Sequence, residues 1–304
     1  MDFSAQREFE FTRDDFDVIR AMIYEHAGIS IAPTKQELVY TRIRKRVREH
    51  GLTSFGSYIE YLKRTPGELQ AFINSLTTNF TAFFRERDHF AILRRFAEER
   101  KAGGLRLWCA ASSTGEEPYS IAMTLAEAYG TLTPDVKILA SDIDTDVLAK
   151  ARRGIYPEKS IENLDQTLRK RYFLRGTGRN AGSVRVIPEL CELITYRQVN
   201  LLHEEWDVDP EYDVIFCRNV MFYFDKPTQR GILEKLRRRL HPEGLLFTGH
   251  SENFFSEQHL FRSVGHSVYQ PAVSPNQFGA GALRSSSSES SGRIPSSRSH
   301  CAAY

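Results

Sequence analysis

The chain has 304 residues, of which 41% are hydrophobic and 12% aromatic, which is enough for two domains or one large domain with a substantial core. The 41 basic and 39 acidic residues leave a formal net charge of +2, so the overall charge gives no reason to expect a nucleic-acid partner. The 4 cysteines show no CxxC spacing, which argues against a disulfide framework or a zinc site, and no apolar run approaches the roughly 20 residues of a membrane span.

The N-terminal segment is polar and lacks a signal-peptide pattern, so we expect a cytoplasmic protein. Residues 1–85 show no convincing strand and are predicted to form an all-helical N-terminal domain with a linker to the functional site. Thr12 followed by Asp15 resembles a capping box, and the apolar residues after it recur at helical spacing until Gly28. Further helices are predicted over residues 35–50, 55–63 and 67–77.

Short apolar strands alternate with helices from Leu105 onward. The strand-like runs LRLWCA, VKILAS, YDVIFCRN and LLFTGH are separated by helical patterns, which favours an α/β fold with a doubly wound parallel sheet over residues 86–272. Residues 155–199 interrupt this alternation and are predicted to form a small antiparallel β insertion. The Ser-rich tail, residues 273–304, is low in apolar residues and is predicted to be disordered.

The turn after the first strand, residues 110–115, consists of small residues that let a ligand approach the backbone. Asp142 ends the second strand, where a carboxylate can accept hydrogen bonds from ribose hydroxyl groups. Together these features predict a nucleotide-like cofactor at the carboxyl ends of the strands. They are a weak signal alone, because GxGxxG and GK[ST] are absent and a Gly/Ser turn is more often only a turn.

Seven segments resemble, in order, the motifs of the chemotaxis-receptor glutamate methyltransferase family, the CheR type. They are TNFTAFFRERDHF, WCAASSTGEEPYSIAMTL, ASDIDTDVLAKARRGIY, RYFLRGTG, QVNLL, FCRNVMFYFDKPTQ and GLLFTGHSEN. The resemblance implies a Rossmann-like methyltransferase sheet domain with a small antiparallel β insertion, preceded by an all-α domain. It further implies S-adenosylmethionine as methyl donor, S-adenosylhomocysteine as product, and glutamate side chains of chemoreceptors as substrate.

Motif by motif, the resemblance also implies the residues that bind the cofactor. They are Asn79, Thr81, Arg85, Glu117, Asp142, Asn200, Leu201, Arg218 and Asn219. Arg85 and Glu117 are suited to the carboxylate and ammonium ends of the methionine moiety through charge-assisted hydrogen bonds. Each residue alone also fits a structural role; Asn79, for example, could cap a helix.

Methyl transfer from a sulfonium to a carboxylate oxygen requires alignment of the reacting atoms. A surface glutamate has a pKa near ~4.3 and is ionised at pH 7, so no general base is needed. Arg85, Arg218 and Tyr223 are predicted to hold the incoming carboxylate, whereas His250 is interpreted as a structural residue at a strand end. No metal is expected, because the sequence shows no ligand-spaced His/Cys cluster.

Two further segments are predicted to contact the substrate protein. The second helix carries a basic run, which in the family that this chain resembles faces an acidic receptor: Arg42, Arg44, Lys45, Arg46 and Arg48. In the insertion, a loop with Gly176, Gly178 and Gly182 resembles the branch of the family that grips the C-terminal peptide of a receptor. An extended peptide is predicted to add as a strand beside residues 183–187.

The predicted partner is therefore the cytoplasmic domain of methyl-accepting chemoreceptors, with no nucleic acid, no membrane insertion and a monomeric enzyme. Alternatives are a methyltransferase for nucleic acid or small molecules and a non-catalytic adaptor that binds S-adenosylmethionine. Nucleic-acid amino-methyltransferases carry a [DNS]PP[YF] turn after the fourth strand, whereas this chain reads CRNVMFYF there.

Overall fold

The computed structural model describes residues 7–100, 103–209 and 211–272, so the tail predicted to be disordered lies outside the described residues. Four helices build the N-terminal domain, as predicted: α1 (Arg13–Ala27), α2 (Gln36–Glu49), α3 (Phe55–Arg64) and α4 (Glu68–Leu76). At the start of α1, the Thr12 hydroxyl accepts from the Asp15 amide and the Asp15 carboxylate accepts from the Thr12 amide, which is the predicted capping box.

The helical domain has its own apolar core. Phe16, Ile19, Val39, Ile43 and Phe55 are completely buried in it. The first four lie three or four residues apart in α1 and α2, which is the spacing that places side chains on one face of a helix.

A linker, residues 77–87, connects this domain to helix α5 (Asp88–Glu99), which the sequence patterns did not predict. The sheet domain follows, with α6 (Glu116–Tyr129), α7 (Thr145–Arg153), α8 (Gln166–Tyr172), α9 (Pro188–Glu192) and α10 (Lys226–Arg239). Helix α5 packs against α6 and covers one face of the sheet with apolar side chains.

The main sheet has seven strands in the order β6–β2–β1–β7–β8–β10–β9. Their bounds are β1 (Leu105–Ala110), β2 (Val136–Asp142), β6 (Ile194–Gln198), β7 (Tyr212–Cys217), β8 (Leu240–Phe247), β9 (Phe261–Gly265) and β10 (Val268–Pro271). The first five strands in that order pair in parallel, and β10 runs antiparallel to both of its neighbours. The carboxyl ends of β1, β2 and β7 therefore meet at one edge, as the doubly wound prediction required.

The insertion is a separate three-stranded antiparallel sheet in the order β3–β5–β4. Its strands are β3 (Ile155–Pro157), β4 (Phe173–Arg175) and β5 (Ser183–Val186). The prediction that the insertion extends to residue 199 was wrong at its end, because β6 pairs in parallel with β2 in the main sheet. The sequence did not predict this pairing, because the residue pattern of a short segment indicates that a strand forms but not which strand it pairs with.

None of the helices in the described ranges is both long and apolar enough to cross a membrane.

Candidate functional site

A cavity of about 570 Å³ lies where the helical domain and the linker meet the carboxyl ends of the strands. This volume is in the range usual for small-molecule sites. All ten residues predicted to hold the cofactor or the substrate carboxylate line it: Asn79, Thr81, Arg85, Glu117, Asp142, Asn200, Leu201, Arg218, Asn219 and Tyr223. They come from positions up to 144 residues apart (223 minus 79), so the fold brings the predicted set together.

The floor of the cavity is the turn that follows β1. Its backbone takes left-handed conformations at Ala111, Ser113 and Gly115, with φ of 65°, 49° and 99°. A Cβ on Gly115 would lie 2.8 Å from the Cβ of Ala151, so only glycine fits this close approach to α7. The strained turn brings the backbone amide of Ser113 to the end of β2.

Asp142 lies at that strand end and is only 7% exposed. Its carboxylate accepts hydrogen bonds from the backbone amides of Ser113 at 2.9 Å and Asp144 at 3.0 Å. Burial raises the pKa of Asp142 to about 6, because these amides only partly replace the lost hydration. Additional donors, such as ribose hydroxyl groups, would stabilise the ionised form.

A buried chain of alternating charges forms another wall. The side chain of Arg218 is only 1% exposed, and its guanidinium group donates to Glu117 at 2.5 Å and to Glu86 at 2.8 Å. It also donates to the carbonyl oxygen of Arg85 at 2.6 Å. Burial alone would lower the pKa of Arg218, but the carboxylates of Glu117 and Glu86 hold it above its usual range.

These contacts correct the predicted role of Arg218. Most of its guanidinium donors are engaged by Glu86, Glu117 and the backbone, so the group has little capacity left to hold an incoming carboxylate. Arg218 instead fixes Glu117, which also accepts from the Cys109 thiol at 3.2 Å. The geometry makes Arg218 a positioning residue for a buried acidic group.

Arg85 and Tyr223 form fewer hydrogen bonds to the protein than Arg218 does. One Arg85 nitrogen donates to the carbonyl oxygen of Phe80 at 3.1 Å, and the guanidinium group lies 5.5 Å from the centre of the Phe80 ring. The Tyr223 hydroxyl donates weakly to the carbonyl oxygen of Thr78 at 3.3 Å. Both side chains are half-buried at the cavity. Arg85 keeps N–H donors for a ligand, whereas the single O–H of Tyr223 would have to leave the Thr78 carbonyl oxygen to donate to one.

Two of the predicted cofactor residues also hold the structure together. The Asn79 amide nitrogen donates to Asp144 at 2.7 Å and joins the linker to the start of α7. The Asn200 amide nitrogen donates to the carbonyl oxygen of His26 at 2.7 Å, while its oxygen accepts from the Leu202 amide at 2.9 Å. Asn200 therefore ties the helical domain to the loop after β6.

The basic run on α2 is not one continuous free surface. Arg42 lines the cavity and donates to the carbonyl oxygens of Leu76 and Thr77 at 2.6 and 2.9 Å. Arg46 is 20% exposed and forms a two-pronged ion pair with the buried carboxylate of Glu68. The prediction that Arg42 and Arg46 face a receptor is therefore corrected, since both serve the helical domain itself.

The other three basic residues remain nearer to solvent. Lys45 is 76% exposed and lies 3.7 Å from Glu49. Arg48 is 60% exposed and pairs with Glu8, and Arg44 is partly buried with its guanidinium group 5.9 Å from the ring centre of Tyr40. A docking role stays a prediction for Arg44, Lys45 and Arg48.

The glycine loop of the insertion joins β4 to β5. Gly178 and Gly182 have positive φ angles of 56° and 80°, as a tight loop requires, and a Cβ on Gly176 would lie 2.0 Å from the carbonyl oxygen of Asn180. However, β5 is the central strand, paired with β3 on one side and β4 on the other. A peptide cannot add beside residues 183–187, and the outer strands β3 and β4 are the edges of this sheet.

The fold also assembles a group that the sequence did not suggest. Glu86, His89 and His250 lie close enough for three ligand atoms to share a metal ion. Glu86 is already bonded to Arg218, to the Asn219 amide and to the backbone of His250. His250 does not line the cavity, and its ring packs edge-on against His89 at 4.9 Å, which agrees with a structural role.

Sequence reasoning missed Glu86 and Glu252 as residues of the site. Glu252 is 5% exposed and accepts from the backbone amides of Asn219, Met221 and Gly249 at 2.7–3.0 Å. It thus fixes the loop after β7 that carries Asn219. Both glutamates lie inside the quoted motifs FFRERDHF and GHSEN, and this membership was the only sequence signal for them, since each motif contains other polar or charged residues.

Comparison with known families agrees with this arrangement. Residues 79–270 match the family described as CheR methyltransferase, SAM binding domain, and residues 14–77 match the CheR methyltransferase all-alpha domain. The cavity described above has the features that S-adenosylmethionine requires: a buried carboxylate with spare acceptor capacity, a second acidic group held in place, and a turn that admits a ligand to its backbone.

Individual relatives show the same relationship. The chain is 55% identical over 268 residues to chemotaxis protein methyltransferase 2 of Pseudomonas aeruginosa, covering 88% of this chain and 96% of that protein. It is 51% identical over 256 residues to the chemotaxis protein methyltransferase of Escherichia coli, covering 84% and 89% of the two chains. A glycopeptide N-methyltransferase solved with sinefungin is only 14% identical, with a TM-score of 0.33 over 57% of this chain and 52% of that one. From the family matches and these relatives, we conclude that this chain belongs to the CheR methyltransferase family.

Proposed function

We propose that this protein transfers a methyl group from S-adenosylmethionine to glutamate side-chain carboxylates of chemoreceptors, forming methyl esters in the cytoplasm. The observation that supports it best is one cavity lined by the carboxylates of Asp142 and Glu117, by Arg85, which keeps N–H donors for a ligand, and by Tyr223, whose hydroxyl is held only by a 3.3 Å hydrogen bond to the Thr78 carbonyl oxygen. The names of the relatives support a chemotaxis protein as the methylated partner.

The buried acidic groups would hold the cofactor. Asp142 would accept hydrogen bonds from the ribose hydroxyls, and Glu117, fixed by Arg218, would face the ammonium group of the methionine moiety. Bound S-adenosylmethionine supplies an electrophilic methyl group on its sulfonium. The chain's own task is then to orient the acceptor and keep water away from it.

The substrate carboxylate would meet Arg85 and Tyr223. A glutamate is ionised at neutral pH, so no residue has to remove a proton from it. The guanidinium group and the phenol hydroxyl can both donate to a carboxylate oxygen and hold it in line. His89, which lies 3.6 Å from Glu86, is unsuited as a base because burial lowers its pKa to about 4.

The substrate protein would dock on the exposed residues of α2, and the insertion would provide a tether. We propose that a C-terminal receptor peptide adds beside the edge strand β4, which leads directly into the glycine loop. Leu174 in the middle of β4 is 52% exposed, which suits an edge that receives another strand. Such a tether would raise the local concentration of the enzyme without changing its chemistry.

The test is incubation with methyl-labelled S-adenosylmethionine and the cytoplasmic fragment of a chemoreceptor from the same organism. Label that is incorporated into the fragment and released as methanol by mild base is the expected result, because carboxylate esters hydrolyse readily in base. Label that resists base would indicate N-methylation, and label on nucleic acid or small molecules would indicate a different substrate. Cofactor binding without any transfer would indicate an adaptor.

A further inference from the structure

Large apolar side chains are unusually exposed around the cavity. Eight such residues are at least 36% exposed in the described part of the chain, and three of them, Leu38, Phe80 and Phe222, line this one cavity. Phe80 is 76% exposed and Phe222 is 54% exposed. Exposed apolar side chains that cluster beside a cavity, rather than lying singly on the surface, indicate a contact surface.

Neither aromatic ring is needed for the core. Phe222 lies in a short turn between Met221 and Phe224, both of which are buried, so the turn directs this one side chain outward. Its ring lies 4.4 Å from that of Tyr223, one of the two groups expected to orient the substrate. Phe80 lies in the linker, where Arg85 covers one face of its ring and leaves most of the side chain in solvent.

The charge around these rings has one sign. The basic residues Lys35 and Arg85 line the same cavity as the two rings, and so does Arg42, although its guanidinium group is held by the helical domain. Of the acidic lining residues, Asp142 is buried and accepts hydrogen bonds from backbone amides, while Glu117 is largely buried and paired with Arg218. The surface that meets a partner is therefore apolar and basic, which complements an acidic segment with apolar side chains next to its carboxylate.

We propose that Phe80 and Phe222 form an aromatic clamp that contacts apolar side chains flanking the target glutamate of the substrate protein. This inference rests on the proposed function and adds a requirement on the substrate sequence: glutamates with apolar neighbours are methylated in preference to glutamates in wholly polar surroundings. Covering the two rings also removes water from the side of the cavity where Arg85 and Tyr223 act, which strengthens their hydrogen bonds to the carboxylate.

The clamp is tested with Phe80→Ala and Phe222→Ala, assayed on the purified chemoreceptor cytoplasmic fragment. We expect KM for the fragment to rise about 10-fold in each variant, as for an aromatic residue central to an interface. The dissociation constant of S-adenosylmethionine should stay unchanged. Phe222→Leu should restore most of the affinity, which separates apolar contact from a displaced Tyr223.

The matched control is Val264→Ala, which shortens an apolar side chain that is 46% exposed but does not line the cavity. It should leave KM at the wild-type value. On the substrate side, Ser at the apolar neighbours of the methylated glutamate should raise KM for the wild-type enzyme and have little further effect on the Phe80→Ala, Phe222→Ala double variant.

Wild-type KM in both Ala variants would overturn the clamp while leaving the proposed function intact. Loss of cofactor affinity in parallel with the rise in KM would also overturn it, because the rings would then belong to the cofactor site. A wild-type enzyme that does not methylate the fragment at all would refute the proposed function itself.

Discussion

Asp142 is the residue at which burial and function are most directly linked. Its pKa is raised to about 6 because the carboxylate is buried at the end of β2. A raised pKa means that this group stabilises the fold below its unfolded pKa and that its contribution is lost as pH rises through about 6. The affinity for the cofactor should instead rise with pH, because ribose hydroxyl groups would donate hydrogen bonds to the ionised Asp142 carboxylate.

We therefore expect the affinity for S-adenosylmethionine to fall about 10-fold between pH 8 and pH 5, because only the ionised fraction binds. In Asp142→Asn, affinity should be lower by roughly 10- to 100-fold at pH 8, through loss of charge-assisted hydrogen bonds, and nearly independent of pH. Calorimetric titration at several pH values measures both effects. A pH-independent affinity in the wild-type protein would exclude Asp142 as the ribose acceptor.

Arg85 and Arg218 carry the same charge but have different expected roles. Arg85→Ala and Tyr223→Phe should each reduce turnover by about 100-fold at an unchanged melting temperature, because they remove orienting donors from a partly exposed site. Arg218→Ala leaves the largely buried carboxylates of Glu86 and Glu117 without their cationic partner and should cost about 3–5 kcal/mol of stability. Thermal melts and initial rates of all three variants give the comparison. Equal melting temperatures in Arg218→Ala and Arg85→Ala would contradict the positioning role.

At this scale the sequence predicted which residues surround the cavity but not their contacts. Ordered motifs pointed to Arg218, and its charge suggested a role in binding a carboxylate. That Glu86 and Glu117 occupy its guanidinium group follows from the positions of three separate segments in the fold. Contacts between residues that are far apart in the sequence cannot be recognised from the sequence pattern. The approach of His250 to Glu86 and His89 was missed for the same reason.

At the scale of elements, the basic residues of α2 lie on two faces of the helix, one packed in the helical domain and one exposed to solvent. Arg46→Glu places a second acidic group beside the buried Glu68 and should destabilise the protein by about 3–5 kcal/mol. Lys45→Glu changes a side chain that is 76% exposed and should leave stability within about 0.5 kcal/mol. If α2 docks on an acidic receptor, Lys45→Glu should also slow receptor methylation, and the wild-type rate should fall with salt. A rate that is unaffected by both salt and Lys45→Glu would leave α2 without a docking role.

The insertion makes a separate prediction about elements. Val at Gly178 and Gly182 would strain a loop that needs positive φ angles and should abolish binding of receptor C-terminal peptides, measured by calorimetry. Gly51→Val is the matched control, because Gly51 has a φ of 62° outside the insertion and open space around it. If no C-terminal pentapeptide of the organism's receptors binds the wild-type protein, the tether is refuted.

Element prediction succeeded where a segment carries its own signal. The capping box of α1 and the alternating strands β1, β2 and β7 were predicted because local residues specify them. Strand pairing was not predicted correctly. The segment of β6 was assigned to the insertion, and β5 was treated as an open edge although it pairs with a strand on each side. Strand partners depend on contacts between distant segments, which a single sequence does not display.

At the scale of the molecule, the helical domain and the sheet domain share one site. The backbone amide of Ser30 donates to the carbonyl oxygen of Tyr223 at 2.7 Å, and the Tyr24 hydroxyl donates to Asp225 at 2.7 Å. Gly28 ends α1 in a left-handed conformation and brings the loop against Phe224. The helical domain therefore lines the cavity as well as carrying α2, so the proposed sites for the cofactor and for the substrate protein share the boundary between the two domains.

The most direct test of the account maps the methylated residues by mass spectrometry. A chemoreceptor cytoplasmic fragment is incubated with S-adenosylmethionine and either the wild-type enzyme or Asp142→Ala. We predict methyl esters on glutamate side chains that have apolar neighbours and their absence after replacement of those glutamates by Gln. With the cofactor held near the wild-type dissociation constant, we also predict far fewer esters with Asp142→Ala. Methylation of lysine, arginine or a non-protein acceptor by the wild-type enzyme, or undiminished glutamate methylation by Asp142→Ala, would contradict the account.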